Sequence, residues 1–206
     1  MAQTQIQTEF ITDSAVTTAK IAANAVTSAK LATNAVTTTA ITDANVTPAK
    51  LSQPLTQGTA QASTSGTSID FTSIPSWVKR ITVMFNGVST SGNANPLFQL
   101  GSGSVTSSGY LSTGTLVSST TSSTAFTAGF GLPGQGAATI LHGVVTFYNV
   151  SGNVWVAAGT FAQTDAARNL VTGGNVTLSG VLDRVRITTS NGTDTFDAGS
   201  INILYE

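Results

Sequence analysis

The chain has no cysteine among its 206 residues, and only 8% of its residues are charged. The absence of cysteine excludes disulfides, thiolate chemistry and cysteine-based zinc sites. The eight Lys and Arg and nine Asp and Glu residues give a formal net charge of -1 and are dispersed along the chain. There is therefore no basic stripe of the kind that recruits nucleic-acid phosphates. Packing and assembly are expected to stabilise the protein, and nucleic acid is not an expected partner.

Long apolar runs are also missing. No stretch of 18 apolar residues is available to cross a membrane. The segment Met1–Phe10 has neither the basic nor the apolar part of a secretory signal. A chain so poor in charge and rich in Ser, Thr and Asn could be disordered, but the positive mean hydropathy and the recurrent β-branched runs oppose that. We expect a folded protein without membrane insertion.

A ten-residue repeat occupies the N-terminal zone. Its complete copies are ITDSAVTTAK from Ile11, IAANAVTSAK from Ile21, LATNAVTTTA from Leu31 and ITDANVTPAK from Ile41. The first position is always Ile or Leu, the sixth Val and the seventh Thr, and Lys closes three of the four copies. Apolar residues thus recur every five positions, and with a fifth start they are Ile11, Val16, Ile21, Val26, Leu31, Val36, Ile41, Val46 and Leu51.

This five-residue step does not fit a continuous regular structure. In an α-helix each step turns the side chain by about 500°, so the apolar residues form no stripe. A coiled coil needs an apolar period of 3.5 residues, and a strand places residues five apart on opposite faces. We therefore predict a helical turn capped by the Thr at position seven, most clearly in Thr47-Pro48-Ala49-Lys50-Leu51, alternating with an extended Asn-Ala-Val segment.

A single chain of such units has only a thin line of Ile, Leu and Val to bury, and one helical turn is not stable in isolation. Three chains around a three-fold axis let each apolar residue meet its own equivalents. Residues 11–56 are therefore predicted to form an extended trimeric shaft with the nine apolar residues at its interface. A flexible linker and a lone solenoid are the alternatives. A linker needs no regular apolar residues, and four copies leave a solenoid too little stacked core.

From about Gln57 the pattern changes to short β-type runs separated by Gly, Ser and Asn. The prediction for residues 57–206 is a mainly β domain, an antiparallel, jelly-roll-like β-sandwich whose closure is partly supplied by neighbouring copies. Asn191-Gly192 is predicted as a type I′ hairpin turn and Ser151-Gly152-Asn153 as a short hairpin loop. The expected strands are 68–72, 80–85, 97–100, 140–150, 154–161, 175–178, 185–188 and 200–206.

Two stretches of this zone carry a resemblance to a known family. Thr67–Val88, TSIDFTSIPSWVKRITVMFNGV, resembles a segment of tail-fibre proteins from tailed bacteriophages, including those that infect cyanobacteria. Leu182–Glu206 is similar to the end of the same domain, and the repeats are similar to the shafts of such fibres. The resemblance implies a homotrimeric virion protein whose residues 1–10 attach to the tail or baseplate. Its tip would face a host-surface receptor, and no catalytic residue is implied.

Few residues of the distal zone offer catalytic or metal chemistry. His142 is the only histidine, so one chain cannot build a His-based metal cluster. Three copies could meet on an axis, but the preferred interpretation places His142 on the outer face of the strand from Ile140. Asp194 and Asp197 are interpreted as turn residues rather than as a glycosidase pair. We predict that the chain is not an enzyme and holds no metal or cofactor.

Receptor contacts are expected on the distal domain. The loops Val88–Asn95 and Gly101–Gly136 are the predicted places, with Tyr110 and Phe130 as aromatic candidates. The basic residues Lys79, Arg80, Arg184 and Arg186 could hold an anionic glycan. The preferred interpretation is that they are solvated or pair with Asp70 and Asp183. Trp155 is expected in the core or at a trimer interface.

The functional prediction is adhesion of a virion fibre to a host-surface glycan or protein. A purely structural virion fibre, such as a neck whisker or a head fibre, is the alternative. A polysaccharide depolymerase is a minor one.

Overall fold

A computed structural model describes residues 12, 15–42, 45–47, 50–137 and 139–206. The chain divides into two compact units, 1–51 and 52–206, so the boundary lies five residues before the one placed at 56/57 from the sequence. The described part is mainly β, with 47% of residues in strands and antiparallel sheets, and it contains no α-helix. The mainly β class is thereby confirmed.

Each repeat contains two turns, five residues apart. In the second copy the Ala25 N–H donates to the Ala22 carbonyl at 3.0 Å, and the Lys30 N–H donates to the Thr27 carbonyl at 2.9 Å. Equivalent pairs of hydrogen bonds occur in the other three copies. The backbone period is therefore five residues, which matches the spacing of the apolar side chains.

The first turn has an asparagine in the second and third copies of the repeat. Asn24 and Asn34 have φ values of 63° and 64°, at the third position of the four-residue turn. A turn with positive φ there is of type II, and it favours Gly or Asn because other side chains crowd the backbone in that conformation. The prediction that the Asn-Ala-Val segment is extended is thus wrong at the asparagine.

The second turn is a single turn of 3₁₀ helix, as expected for a short helical turn. The Thr at position seven, however, does not cap it: Thr27 and Thr37 have extended backbone, and neither side chain makes a capping hydrogen bond. The exposed N–H groups of so short a turn can be solvated instead. Pro48 and Ala49 lie outside the described residues. The 3₁₀ helices are Thr18–Lys20, Ser28–Lys30 and Thr38–Ala40.

The larger sheet of the second unit has nine strands in the order β1-β14-β4-β10-β11-β12-β7-β8, and β2 also pairs with β14. All pairings are antiparallel. The strands are β1 (Thr56–Gln57), β2 (Gln61–Ala62), β4 (Arg80–Thr90), β7 (Leu111–Val117), β8 (Thr121–Phe126), β10 (Leu141–Ser151), β11 (Val154–Gln163), β12 (Arg168–Thr177) and β14 (Phe196–Tyr205).

The smaller sheet has five strands in the order β3-β13-β5-β6, and β9 also pairs with β5. Its strands are β3 (Ser68–Phe71), β5 (Pro96–Ser102), β6 (Ser104–Val105), β9 (Phe130–Gly131) and β13 (Arg184–Thr189). Every strand expected from the sequence is present, and several are longer than expected. The segment 101–136, predicted as a long loop, contains all of β6 to β9, so that prediction is wrong.

One hydrophobic core receives side chains from both sheets. Phe98 on β5 is fully buried at its centre, with ring centroids 5.3 Å from Phe85 on β4 and 5.6 Å from Phe161 on β11. Period-two alternation places Ile81, Val83 and Phe85 on the buried face of β4. This is the face that the sequence predicts.

The two predicted hairpins have different outcomes. Ser151–Asn153 joins the paired strands β10 and β11, as expected. Asn191-Gly192 does not form a hairpin, because β13 and β14 belong to different sheets. The Asn191 side chain accepts hydrogen bonds from the backbone N–H groups of Thr193 and Asp194 at 3.0 and 3.1 Å. These bonds continue the turn so that the chain crosses from one sheet to the other.

Candidate functional site

The apolar residues of the repeat are exposed in the single chain. Eight of the nine predicted interface residues lie in the described part, and their exposures range from 41% to 58%. Ile11 lies outside it. Seven of the eight, all except Leu51, immediately precede a residue whose carbonyl accepts a turn hydrogen bond, so these seven occupy equivalent places in the backbone. The eight are Val16, Ile21, Val26, Leu31, Val36, Ile41, Val46 and Leu51.

The repeat lysines bind the backbone of their own repeat. The Nζ atoms of Lys20 and Lys30 each donate to a carbonyl oxygen five residues earlier, on Ala15 and Ala25, at 2.7 Å. Lys50 makes the same contact at 2.6 Å. Each contact bridges the two turns of a repeat and holds the ammonium group beside the chain. The lysines therefore support the repeat geometry, a role that the sequence analysis missed.

Tyr110 and Phe130, the predicted receptor contacts, are in the core. Tyr110 is 1% exposed and Phe130 is fully buried, and their rings pack edge to face with centroids 5.1 Å apart. The Tyr110 hydroxyl accepts the Leu100 N–H at 2.7 Å and donates to the Thr106 carbonyl at 3.0 Å. Burial raises the pKa of this phenol above its usual value. The prediction that these rings contact a receptor is wrong, and they stabilise the core instead.

The loop after β4 is tied down rather than adaptable. Asp194 accepts the Ala94 N–H at 2.9 Å with one carboxylate oxygen and the Asn191 side-chain amide at 2.7 Å with the other. The Thr195 N–H donates to the Ser91 hydroxyl at 3.0 Å. The hydrogen bond from Asn191, followed by that from Ala94, holds the pKa of Asp194 below its usual range. Asp194 is thus a turn residue, as predicted from the sequence.

A groove of about 260 Å³ opens between the first strands and the last strand of the second unit. Its lining combines an aromatic ring with polar groups and a few aliphatic ones, all from the ends of this unit. The Tyr205 ring at its edge lies 6.1 Å from the Trp77 ring, centroid to centroid. The lining residues are Gly58, Thr59, Gln61, Asp70, Phe71, Thr72, Ile74, Ile203 and Tyr205.

Asp70 gives the groove an oriented acidic edge. Arg186 donates to its two carboxylate oxygens at 2.7 and 2.8 Å, and the Gln61 amide donates to its backbone carbonyl at 2.8 Å. This forked ion pair holds the carboxylate in one orientation. The sequence analysis missed the groove because Gly58 and Tyr205 lie at opposite ends of the domain sequence, and only the pairing of β1 and β2 with β14 brings these ends together.

The predicted arginine pairs are confirmed. Besides Arg186 with Asp70, the Arg184 guanidinium donates to the Asp183 carboxylate at 2.7 Å, and its side-chain hydrogen bond lowers the Asp183 pKa. Arg80 pairs with Glu206. These arginines are engaged by carboxylates, which weakens the alternative that they hold an anionic glycan.

The remaining candidates have structural contacts. Trp155 is 3% exposed and belongs to the core. The core was one of the two locations predicted for it. His142 accepts the Gly87 N–H on Nδ1 at 3.2 Å. Among the described residues, no three His, Cys, Asp or Glu side chains are grouped to hold a metal ion. The described residues also include no helix with the length and apolar character needed to span a membrane.

No protein-family model matches this chain, and no curated protein or solved structure matches it. The repeat, the groove and the resemblance in the sequence are therefore the features that bear on function.

Proposed function

We propose that this chain is a homotrimeric tail-fibre protein of a tailed bacteriophage. Residues 1–10 attach it to the tail or baseplate, the repeat forms a trimeric shaft, and the second unit adheres to a host-surface receptor, a glycan. The observation that carries the proposal is the series of eight regularly spaced apolar side chains, each about half exposed in the single chain.

An exposed apolar line of this regularity calls for partners. Scattered apolar residues are normal on a protein surface, but contiguous ones mark interaction sites. Regularly spaced apolar side chains are buried most simply by identical chains aligned in register. Each residue then meets its equivalents around a closed symmetry axis. The repeat has two short turns per ten residues, and none of its described residues is buried. Its order in solution is therefore expected to come from the assembly.

We further infer that the second unit is a β-sandwich. Core side chains from the two sheets, such as Phe98 on one and Phe85 and Phe161 on the other, are in ring-to-ring contact, as facing sheets require. The jelly-roll part of the prediction is not retained, because a jelly roll has eight strands and this domain has sheets of nine and five strands.

The groove supports adhesion to a glycan. Sugars present hydroxyl groups at their edges and a weakly apolar face, and they suit a site that combines hydrogen-bonding groups with an aromatic ring. The groove offers the Asp70 carboxylate, the Thr59 and Thr72 side chains and the Tyr205 ring. Modest affinity at one groove is multiplied when three copies act together on one fibre.

Light scattering of the full chain tests the assembly. We expect the mass of three 20.9 kDa chains, independent of dilution over the accessible range. A monomer would contradict the shaft and, with it, the proposed fibre.

Obstructing the groove tests the adhesive role. Thr72 is exposed and lines the groove, so Thr72→Trp fills it without disturbing the core. We expect this variant to lose at least about tenfold in binding to an array of bacterial surface polysaccharides, a loss of about 1.4 kcal/mol or more in binding free energy. Thr193→Trp, at an exposed turn outside the groove, is the matched control and should bind like the wild type.

The same array separates the other functions. Absence of binding by the wild type, together with incorporation into virions, would favour the purely structural fibre. Release of reducing sugar from a bound polysaccharide would favour the depolymerase. Equal binding by the Thr72 and Thr193 variants would remove the groove from the adhesive site.

A further inference from the structure

Five adjacent strands of the nine-stranded sheet carry almost no charge. The strands β10, β11, β12, β7 and β8 contain one charged residue, Arg168, and one histidine, His142. The opposite end of the sheet differs, since Arg80, Asp197 and Glu206 lie on or beside β4 and β14. The face of these five strands that points away from the core is called the outer face below.

The strand register shows which residues form the outer face. On β10, Val145 and Phe147 are fully buried and Val144 and Tyr148 are exposed, so the outer face takes the even-numbered residues of this part of the strand. Cross-strand partners extend these positions into rows. The rows are Val144-Thr160-Val171-Thr115, Thr146-Ala158-Gly173-Thr113 and Tyr148-Val156-Asn175-Leu111.

The composition of these rows is unusual for a surface in water. An antiparallel sheet with one wet face normally alternates apolar residues inward with polar residues outward. Here the outward positions include Leu111 at 73% exposure, Val144 at 44%, Tyr148 at 43% and Val171 at 40%. Between the two rows that hold them runs a row of small side chains. The result is a continuous apolar and hydroxyl-bearing surface, the kind that marks a protein interface.

We propose that the outer face packs against neighbouring copies of this chain, so that the distal domains associate with one another as well as the shafts. This inference depends on the proposed trimer. The lack of charge on the outer face favours a second copy of the chain as its partner. Two such faces can meet without like-charge repulsion, and the centres of protein interfaces are depleted in charge. The small row of Ala158 and Gly173 lets two sheets approach closely.

Other features of the chain favour a second copy over a sugar ligand. The outer-face rows contain one aromatic residue, Tyr148, and no carboxylate or arginine to orient a sugar. A shaft that joins three chains also keeps their distal domains at high local concentration, so even a weak contact is populated. The composition of the outer face can therefore be explained by contact between copies, without a sugar ligand.

Single thiols test this inference, because the chain has no cysteine of its own. Ala158→Cys places one thiol in the middle of the outer face, and Ser179→Cys places one at an exposed site after β12 as the matched control. Both changes are small, and both positions are exposed in the single chain. The reaction of the full-length variants with a maleimide-polyethylene glycol under reducing conditions is followed by gel shift, with the mass measured in parallel.

A contact between copies limits labelling to moments when it opens, so we expect the thiol of Ala158→Cys to react at least about tenfold more slowly than that of Ser179→Cys. Slow labelling in a particle of trimer mass supports the inference. Equal rates in a particle of trimer mass overturn it and leave the shaft trimer intact. A monomeric mass overturns both, whatever the labelling rates.

Discussion

Replacing Val26 and Val36 together by Asp is expected to convert the trimer into monomers. Both side chains are more than half exposed in the single chain, at 55% and 56%, so the change removes nothing from the interior of one molecule. In a three-fold shaft it places six carboxylates where apolar side chains would meet. Carboxylates brought out of water without cationic partners are strongly unfavourable there. Light scattering should show the mass falling to that of one chain.

The matched control moves the same charges by one residue. Thr27→Asp with Thr37→Asp adds two carboxylates per chain at exposed positions that precede the 3₁₀ turns and make no capping hydrogen bond. Asp is a favoured residue at such positions, so the turns should persist. We expect this variant to remain trimeric. Equal dissociation of both variants would show that charge alone disrupts the assembly, and trimers from both would place the interface elsewhere.

The second large effect is expected from Gly199→Ala, which should unfold the distal domain or destabilise it by about 3 kcal/mol or more. Gly199 has a φ of 91° in β14, a conformation that L side chains rarely adopt. A Cβ atom there would lie 2.3 Å from the carbonyl oxygen of Gly87 and 2.7 Å from that of Asn86. Both contacts are with backbone, and β4 and β14 would have to separate to relieve them.

Gly192→Ala is the control for this glycine. Gly192 also has positive φ, at 68°, but a Cβ atom there meets nothing within 4 Å. Only the conformational penalty of about 1–2 kcal/mol remains. Urea unfolding followed by the fluorescence of Trp77 and Trp155 compares the two. If Gly199→Ala lowers the free energy of unfolding no more than Gly192→Ala does, β4 and β14 do not approach each other as closely at Gly199 as the structure shows.

Local patterns predicted much of the distal domain. Alternation in Ile81, Val83 and Phe85 indicated a strand and its buried face, because side chains two residues apart must share a side of a sheet. The same strand was predicted too short. Its continuation to Thr90 includes a register shift at which two residues of β4, Gly87 and Val88, face the single residue Gly199 of β14. Alternation is lost at such irregularities.

Non-local features were not predictable in this way. Asn191-Gly192 has the composition of a hairpin turn, but the strands that flank it pair with other partners, and composition does not report partners. Tyr110 and Phe130 lie in a Gly-, Ser- and Thr-rich stretch that looks like a surface loop. They are buried because β7 and β8 join the larger sheet and β9 joins the smaller one, which places the two rings edge to face in the core.

The sequence by itself determined the five-residue step of the repeat, the mainly β class and the inward faces of several strands. Each follows from interactions between residues a few positions apart, and a local pattern records those directly. The tertiary structure decided the strand order, the burial of the two aromatic rings, the groove and the uncharged outer face. Each of these depends on which distant strands pair, and that choice is made by the packing of the whole domain.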